Sequence, residues 1–271
     1  MKTISITLPR ELDEAIIVPF ADEHDGDPFA DEALTEKRLD FVEKTPNAFA
    51  VLNGDLMNVA TKNSKSDSYS ARYTPQEQLQ RALKRYGRIK DKILGITDGN
   101  HCDRVYLESG VNIMQCLAVS LGLEARYSHD GLYIFLRLGK TTSHKETRGT
   151  GKHRQICYRI YMNHGGRGGR SVGSKANALT EMSSIVRADV YFHSHTHMPV
   201  IIPDIYSEPD DRNSIVLDKP CLYVNTAAAL GRGGYGEKKE YKPLSNRMPL
   251  VYLNGRKKHI DADFGRGCGL C

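Results

Sequence analysis

The feature that most constrains this chain is a repeated arrangement. Short apolar runs end abruptly in side chains that can ligate metal. Ala15–Phe20, Ala48–Leu52, Ile93–Thr97 and Asp189–Phe192 are apolar runs, long enough for a strand and too short for a buried helix. The first is apolar on both faces, as a strand in the middle of a sheet is. Each runs straight into polar residues: Asp22 with His24, Asp55, Asn100 with His101, and the series His193, His195, His197. His164 follows a fifth run, Ile156–Met162, directly. Asp-Gly and Asn-Gly are common turn formers and a lone histidine is usually structural, so no single end is informative. Five together are, because loops converge at the C-terminal ends of sheet strands.

The intervening segments fill in the fold. Ala33–Glu43 reads as a helix. Ala60–Pro75 is rich in Lys, Ser, Thr, Asn and Asp and reads as a surface loop. Thr74-Pro75 pairs an N-cap with a proline at the first helical turn, and the helix it opens is expected to reach about Lys92, with Leu79, Leu83, Tyr86 and Ile89 on one face. Arg104–Leu121 is expected to be helical. Thr3–Thr7, Tyr133–Leu138, Cys221–Asn225 and Leu250–Leu253 read as further strands. Strand–loop–helix units followed by a strand-rich half predict an α/β protein of two sheets packed face to face with helices outside. No linker interrupts the 271 residues, which are expected to form a single domain, 1–271.

Other classes are set aside on composition. Apolar residues are 39% of the chain, enough for a core, and no run approaches the ~18 residues of a membrane helix. The apolar stretches near the N-terminus are broken by Arg10, Glu11, Asp13 and Glu14 and do not make a signal peptide. The expectation is a cytoplasmic protein with no membrane partner. The six cysteines are scattered and read as reduced thiols; Cys268 and Cys271 form a lone CxxC with no second pair to complete a zinc site.

On an extended segment the i, i+2 spacing of Asp22 with His24, and of His195 with His197, puts each pair on one face. Imidazole and carboxylate donors suit zinc, iron and manganese and do not suit an all-oxygen calcium or magnesium site. Seven donors (Asp22, His24, Asp55, Asn100, His164, His195 and His197) are too many for one tetrahedral ion and suit two ions sharing a carboxylate, for which Asp55 is the natural bridge.

The order Asp22-x-His24, Gly54-Asp55, Gly99-Asn100-His101, His164 and His195-x-His197 resembles the calcineurin-like metallophosphoesterase superfamily. The blocks extend from residue 22 to residue 197. The resemblance implies a four-layer αββα sandwich of two mixed sheets flanked by helices, and a hydrolase in which a metal-activated water attacks phosphorus. It implies that one divalent ion is held by Asp22, His24, Asp55 and His197, the other by Asp55, Asn100, His164 and His195, with manganese first and iron or zinc as alternatives. It makes His101 the catalytic histidine, and Asp103, two residues on, is a candidate for orienting it. Ser194 stands where the family usually has glycine, Cys102 where it has an acid, and Asn58 where many members have aspartate. The Asp-Arg-Gly continuation of Ser/Thr protein phosphatases is absent after Asp55.

Net charge is +5 and its placement is uneven. Lys140, Lys145, Arg148, Lys152 and Arg154 crowd one segment, and Arg167 and Arg170 sit in a glycine-rich run just past His164. Glycine-loop amides and arginine forks both bind phosphate. The run is similar to a loop of phosphoesterases from phages and mobile elements. Arg167 and Arg170 are therefore candidate substrate contacts. The expected substrate is a phosphodiester in nucleic acid (DNA or RNA) or a nucleotide, making the protein a phosphodiesterase or nuclease. The alternative is a phosphatase for small metabolites or phosphorylated ends, and a catalytically inert scaffold ranks last.

Overall fold

A computed structural model describes residues 1–64, 68–141, 154–167, 169, 171–231, 233 and 245–265. The basic residues Lys145, Arg148 and Lys152, Arg170, and the CxxC at Cys268 and Cys271 lie outside the described residues.

Among the described residues, twelve strands form two six-stranded mixed sheets. One sheet is built from β2 (Glu14–Phe20), β3 (Ala48–Asn53), β4 (Ile93–Thr97), β5 (Tyr127–Ser128), β11 (Leu250–Asn254) and β12 (Ile260–Asp263), in the order β12-β11-β2-β3-β4-β5. The other holds β1 (Lys2–Thr7), β6 (Leu132–Leu138), β7 (Ile156–Met162), β8 (Val190–His193), β9 (Val200–Asp210) and β10 (Ile215–Asn225), in the order β1-β6-β7-β8-β10-β9. β2, β3 and β4 run parallel to one another, as do β7, β8 and β10. All six of these strands therefore deliver their C-terminal ends to one edge of their sheet, the arrangement that makes a site.

The layers follow from which faces are apolar. Ile17, Val51 and Leu94 from the first sheet pack against Leu132, Ile134, Ile160 and Val224 from the second, forming the core between them. The outer face of the first sheet buries Val18, Leu52 and Ile96 under α1 (Glu32–Lys44), α2 (Pro75–Gly87), α3 (Asn100–Ser109) and α4 (Ile113–Ser120). The outer face of the second buries Tyr133, Tyr161, Tyr191 and Tyr223 against Leu179 of α5 (Val172–Thr180). The result is the four-layer αββα sandwich.

Local rules explain most helix ends. Asp31 caps α1 by accepting from the Leu34 amide at 3.0 Å. At α2 the Thr74 hydroxyl and the Glu77 carboxylate cap each other's backbone amides reciprocally. The structure shortens two expected helices. α2 ends at Gly87, and Lys90–Lys92 is a separate 3-10 turn. The stretch 104–121 is two helices, because Gly110 adopts φ +71 and closes α3 with a left-handed cap; α3 itself begins earlier, at Asn100. No described helix is long and apolar enough to cross a membrane.

Candidate metal centre

The seven candidate ligands meet at the common edge of the two sheets. The first sheet supplies Asp22 and His24 after β2, Asp55 after β3 and Asn100 after β4; the second supplies His164 after β7, and His195 and His197 after β8. Three overlapping groups each bring their ligand atoms within 4.8 Å of one another: Asp22, His24 and His197; Asp55, His164 and His195; and His24, Asp55 and His101. Asn100 Oδ1 lies 2.8 Å from His195 Nδ1. The first group falls within the set that the resemblance assigns to one ion and the second within the set it assigns to the other.

The paired ligands do converge, but not along extended segments as their i, i+2 spacing predicts. Asp22, His24, Asp55, His195 and His197 are left-handed, with φ of 51, 48, 52, 64 and 56°. Such conformations cost a non-glycine residue of order 1–3 kcal/mol each and persist only where the surroundings over-determine them. Here they do. The loops after β2 and β3 run side by side, with the His24 amide on Asp55 O at 3.0 Å, the Asp25 amide on Leu56 O at 3.0 Å and the Asn58 amide on Asp25 O at 2.9 Å. Asp25 is buried, and its carboxylate is clasped by Arg81 at 2.8 Å and Arg85 at 2.7 Å, both on α2. After β8, Asn225 donates to Thr196 Oγ1 at 2.9 Å and Met198 O at 2.6 Å while facing His193 Nδ1 at 2.7 Å, and Lys175 of α5 reaches Thr196 O at 3.0 Å. His193 thus supports the loop and is no ligand in this geometry. Gly54 is needed for space: at φ +82, a Cβ there would lie 2.6 Å from His164 Nδ1 and 2.7 Å from Asp98 O.

The electrostatics ask for cations. Asp22 and Asp55 are buried, which opposes their ionisation, yet the histidines around them outweigh burial and hold both carboxyls below the usual carboxylate range. His164 shows the converse. Burial works against its charge, but the facing Asp55 and Asp22 carboxylates push its pKa up to about 9. His24 goes the other way, driven well down by burial and by His101 and His197. His164 Nε2 meets Asp55 Oδ2 at 3.0 Å and His197 Nε2 meets Asp22 Oδ1 at 3.3 Å, while His24 Nδ1 is buried with no hydrogen-bond partner among the described residues, a costly condition for a polar group. His24 Nε2 and His197 Nε2 face each other at 3.2 Å. Converging imidazole nitrogens and carboxylate oxygens fit borderline-to-hard divalent ions, so the residues present suit divalent metal.

His101 stands beside this centre. Its amide donates to Asp55 Oδ1 at 2.9 Å, and its Nδ1 is 3.0 Å from Asn58 O. A carbonyl cannot donate, so Nδ1 carries the proton and Nε2 is the acceptor that meets Arg104 Nη2 at 3.0 Å. Burial lowers the pKa of this ring, and Arg104 adds to the effect. The orienting group is therefore the Asn58 carbonyl and not Asp103, which is exposed and clusters instead with Asp98 and His129. Sequence reasoning misses Arg104, although a basic residue three positions after His101 falls on the same helix face. Arg167 is exposed and its guanidinium meets Glu181 at 3.4 Å.

No family model and no curated protein sequence matches this chain. Among solved structures, the chain is similar to a conserved uncharacterized protein, a predicted phosphoesterase, from Streptococcus pneumoniae TIGR4, at 12% identity over 93% of this chain and 90% of that one with a TM-score of 0.36. It is similar to the phosphoesterase Yfce from E. coli at 15% identity, covering 88% of each chain with a TM-score of 0.39. A metallophosphoesterase from Sphaerobacter thermophilus is similar at 13% identity over 88% of this chain and 83% of that one, with a TM-score of 0.38.

Proposed function

We propose that this chain is a calcineurin-like metallophosphoesterase that hydrolyses phosphoesters with two divalent metal ions, manganese foremost. The observation that carries the reading is the convergence of Asp22, His24, Asp55, Asn100, His164, His195 and His197 from five strand ends of two sheets onto two adjoining half-sites, with His101 at their side. When bound, such a pair of ions polarises phosphoryl oxygens and lowers the pKa of a coordinated water. The chain's own residues do the rest. Asp22, His24 and His197 hold one half-site; Asn100, His164 and His195 hold the other; Asp55 serves both. The Asn58 carbonyl fixes the His101 ring through Nδ1 and leaves Nε2, beside Arg104, as the position that would take up a proton and give it to the leaving phosphoester oxygen. Arg104, beside Nε2, adds positive charge where negative charge develops on that oxygen.

The substrate we propose is a phosphodiester in DNA or RNA. Support comes from the basic segment Lys140–Arg154 that precedes β7 and from the cationic groups near the centre, Arg104 and Lys175. With manganese, bis-p-nitrophenyl phosphate should be turned over faster than p-nitrophenyl phosphate. Nucleic-acid binding should weaken with salt, and neutralising Lys145, Arg148, Lys152 and Arg154 together should flatten that dependence by roughly 0.7–0.9 log units for each phosphate no longer engaged. A preference for the monoester with no nucleic-acid binding at low salt makes the protein a phosphatase instead; no hydrolysis of either ester overturns the enzymatic reading.

A further inference from the structure

Asn53 is the last residue of β3 and is fully buried, as are Thr97 and Ser194. Its side-chain amide makes an unusual set of bonds. Nδ2 donates to Ser194 Oγ at 2.7 Å, to Asn163 O at 3.1 Å and, at longer range, to Phe192 O at 3.4 Å. Oδ1 accepts from Thr97 Oγ1 at 2.8 Å. Its backbone carbonyl lies 2.7 Å from His164 Nδ1, which must therefore carry the proton and leave Nε2 to point at Asp55. One residue of the first sheet thus holds two strands of the second sheet and its own neighbour β4.

The identity of the held residues is what matters. Asn163 immediately precedes His164, and Ser194 immediately precedes His195. Thr97 stands three residues before Asn100, and Asn53 itself two before Asp55. These four ligands are the half-site assigned above to the second ion. None of the bonds of the Asn53 side chain reaches the segments bearing Asp22, His24 or the far side of the loop at His197. The serine at position 194, which departs from the glycine usual in the resembled pattern, supplies the acceptor of the shortest bond in the set.

We infer that Asn53, through Ser194, is a positioning residue that acts chiefly on one half-site: it gathers onto its own strand end, which carries the shared Asp55, the three strand ends that carry Asn100, His164 and His195, the ligands belonging to that half-site alone. This rests on the two-ion reading proposed above. Groups hydrogen-bonded behind metal ligands typically change metal affinity about 10–100-fold when removed.

The test is a manganese-binding isotherm of the full-length, metal-stripped chain, read with no substrate present. In Asn53→Ala one of the two binding steps should loosen about 10–100-fold while the other stays within about threefold. Ser194→Ala, which removes only an acceptor, should loosen the same step by about tenfold and decides the matter if Asn53→Ala fails to fold. In wild-type protein loaded with two manganese ions, electron paramagnetic resonance should show an exchange-coupled pair; the variants should show the single-ion signal at the same metal concentration. Equal loosening of both steps, or no change in either, overturns the inference, because a residue that merely stabilises the fold would not separate them. A wild type that binds two ions but hydrolyses no phosphoester leaves the positioning role standing and removes the functional reading. A wild type that binds fewer than two ions overturns both.

Discussion

Gly99 offers a way to disturb the centre without removing a ligand. Its backbone is extended, φ −128 and ψ 171, so alanine meets no conformational penalty there. The obstacle is space. A Cβ at Gly99 would lie 2.2 Å from Asp55 Oδ1, 2.6 Å from Asp55 N and 2.7 Å from Asp55 Cγ. Ordinary contact between heavy atoms begins near 3.5 Å, so the carboxylate must retreat by roughly 1 Å or more. The Asp55 amide belongs to the backbone and cannot swing aside. A displacement of about 1 Å in a catalytic constellation costs on the order of 10²-fold in rate. Gly99→Ala should therefore lose about 10²-fold or more in diester turnover and bind less than the wild-type complement of metal. Gly173, on α5, has nothing within 4 Å of its added Cβ; Gly173→Ala should keep full turnover and gain up to about 1 kcal/mol of stability in urea. Metal content by elemental analysis and turnover under saturating manganese decide the case. Gly99→Ala with turnover within threefold of wild type would show that Asp55 is not held where this geometry puts it.

Two further outcomes are expected. His101→Ala should lose roughly 10²–10⁴-fold in turnover, the scale of a general acid or base, while elemental analysis finds its metal content near normal; Asp103→Ala should lose little, since the Asn58 carbonyl orients the ring. His129 pairs with Asp98 at 2.6 Å, and that hydrogen bond raises its pKa above 6.5. The stability this pair contributes is full below about pH 6.5 and is lost as pH rises through the raised value; an NMR titration should place His129 above its usual range, and Asp98→Asn should bring it back.

What was legible in the sequence had a physical reason to be. Strands β2, β3 and β4 are buried on both faces, so their residues are almost uniformly apolar, and the polar residue after each stands out. The ribbon of β9 and β10 hid itself. It pairs Val200–Asp210 with Ile215–Asn225 antiparallel, but only Leu222–Asn225 of β10 also pair with β8. Much of the remainder is exposed or half-buried, so Pro203, Pro209 and Pro220 and the acids among them are tolerated as they are at sheet edges, and beyond Cys221–Asn225 the apolar residues come only in runs of at most three, too short to read as strands. Within the site, ligand identity is written locally, whereas support is not. Asn58 orients His101 from 43 residues away and Asn53 reaches Ser194 across 141, pairings that no spacing rule reveals.

The most direct measurement is a titration of metal-stripped protein with manganese, followed by turnover of bis-p-nitrophenyl phosphate at each point. Activity should rise to a plateau at two equivalents of metal per chain, and Asp55→Asn should abolish it while weakening both binding steps, because a neutral amide bridges poorly. A plateau at one equivalent, or an Asp55→Asn variant that still turns over the diester, would contradict a centre of two ions sharing Asp55.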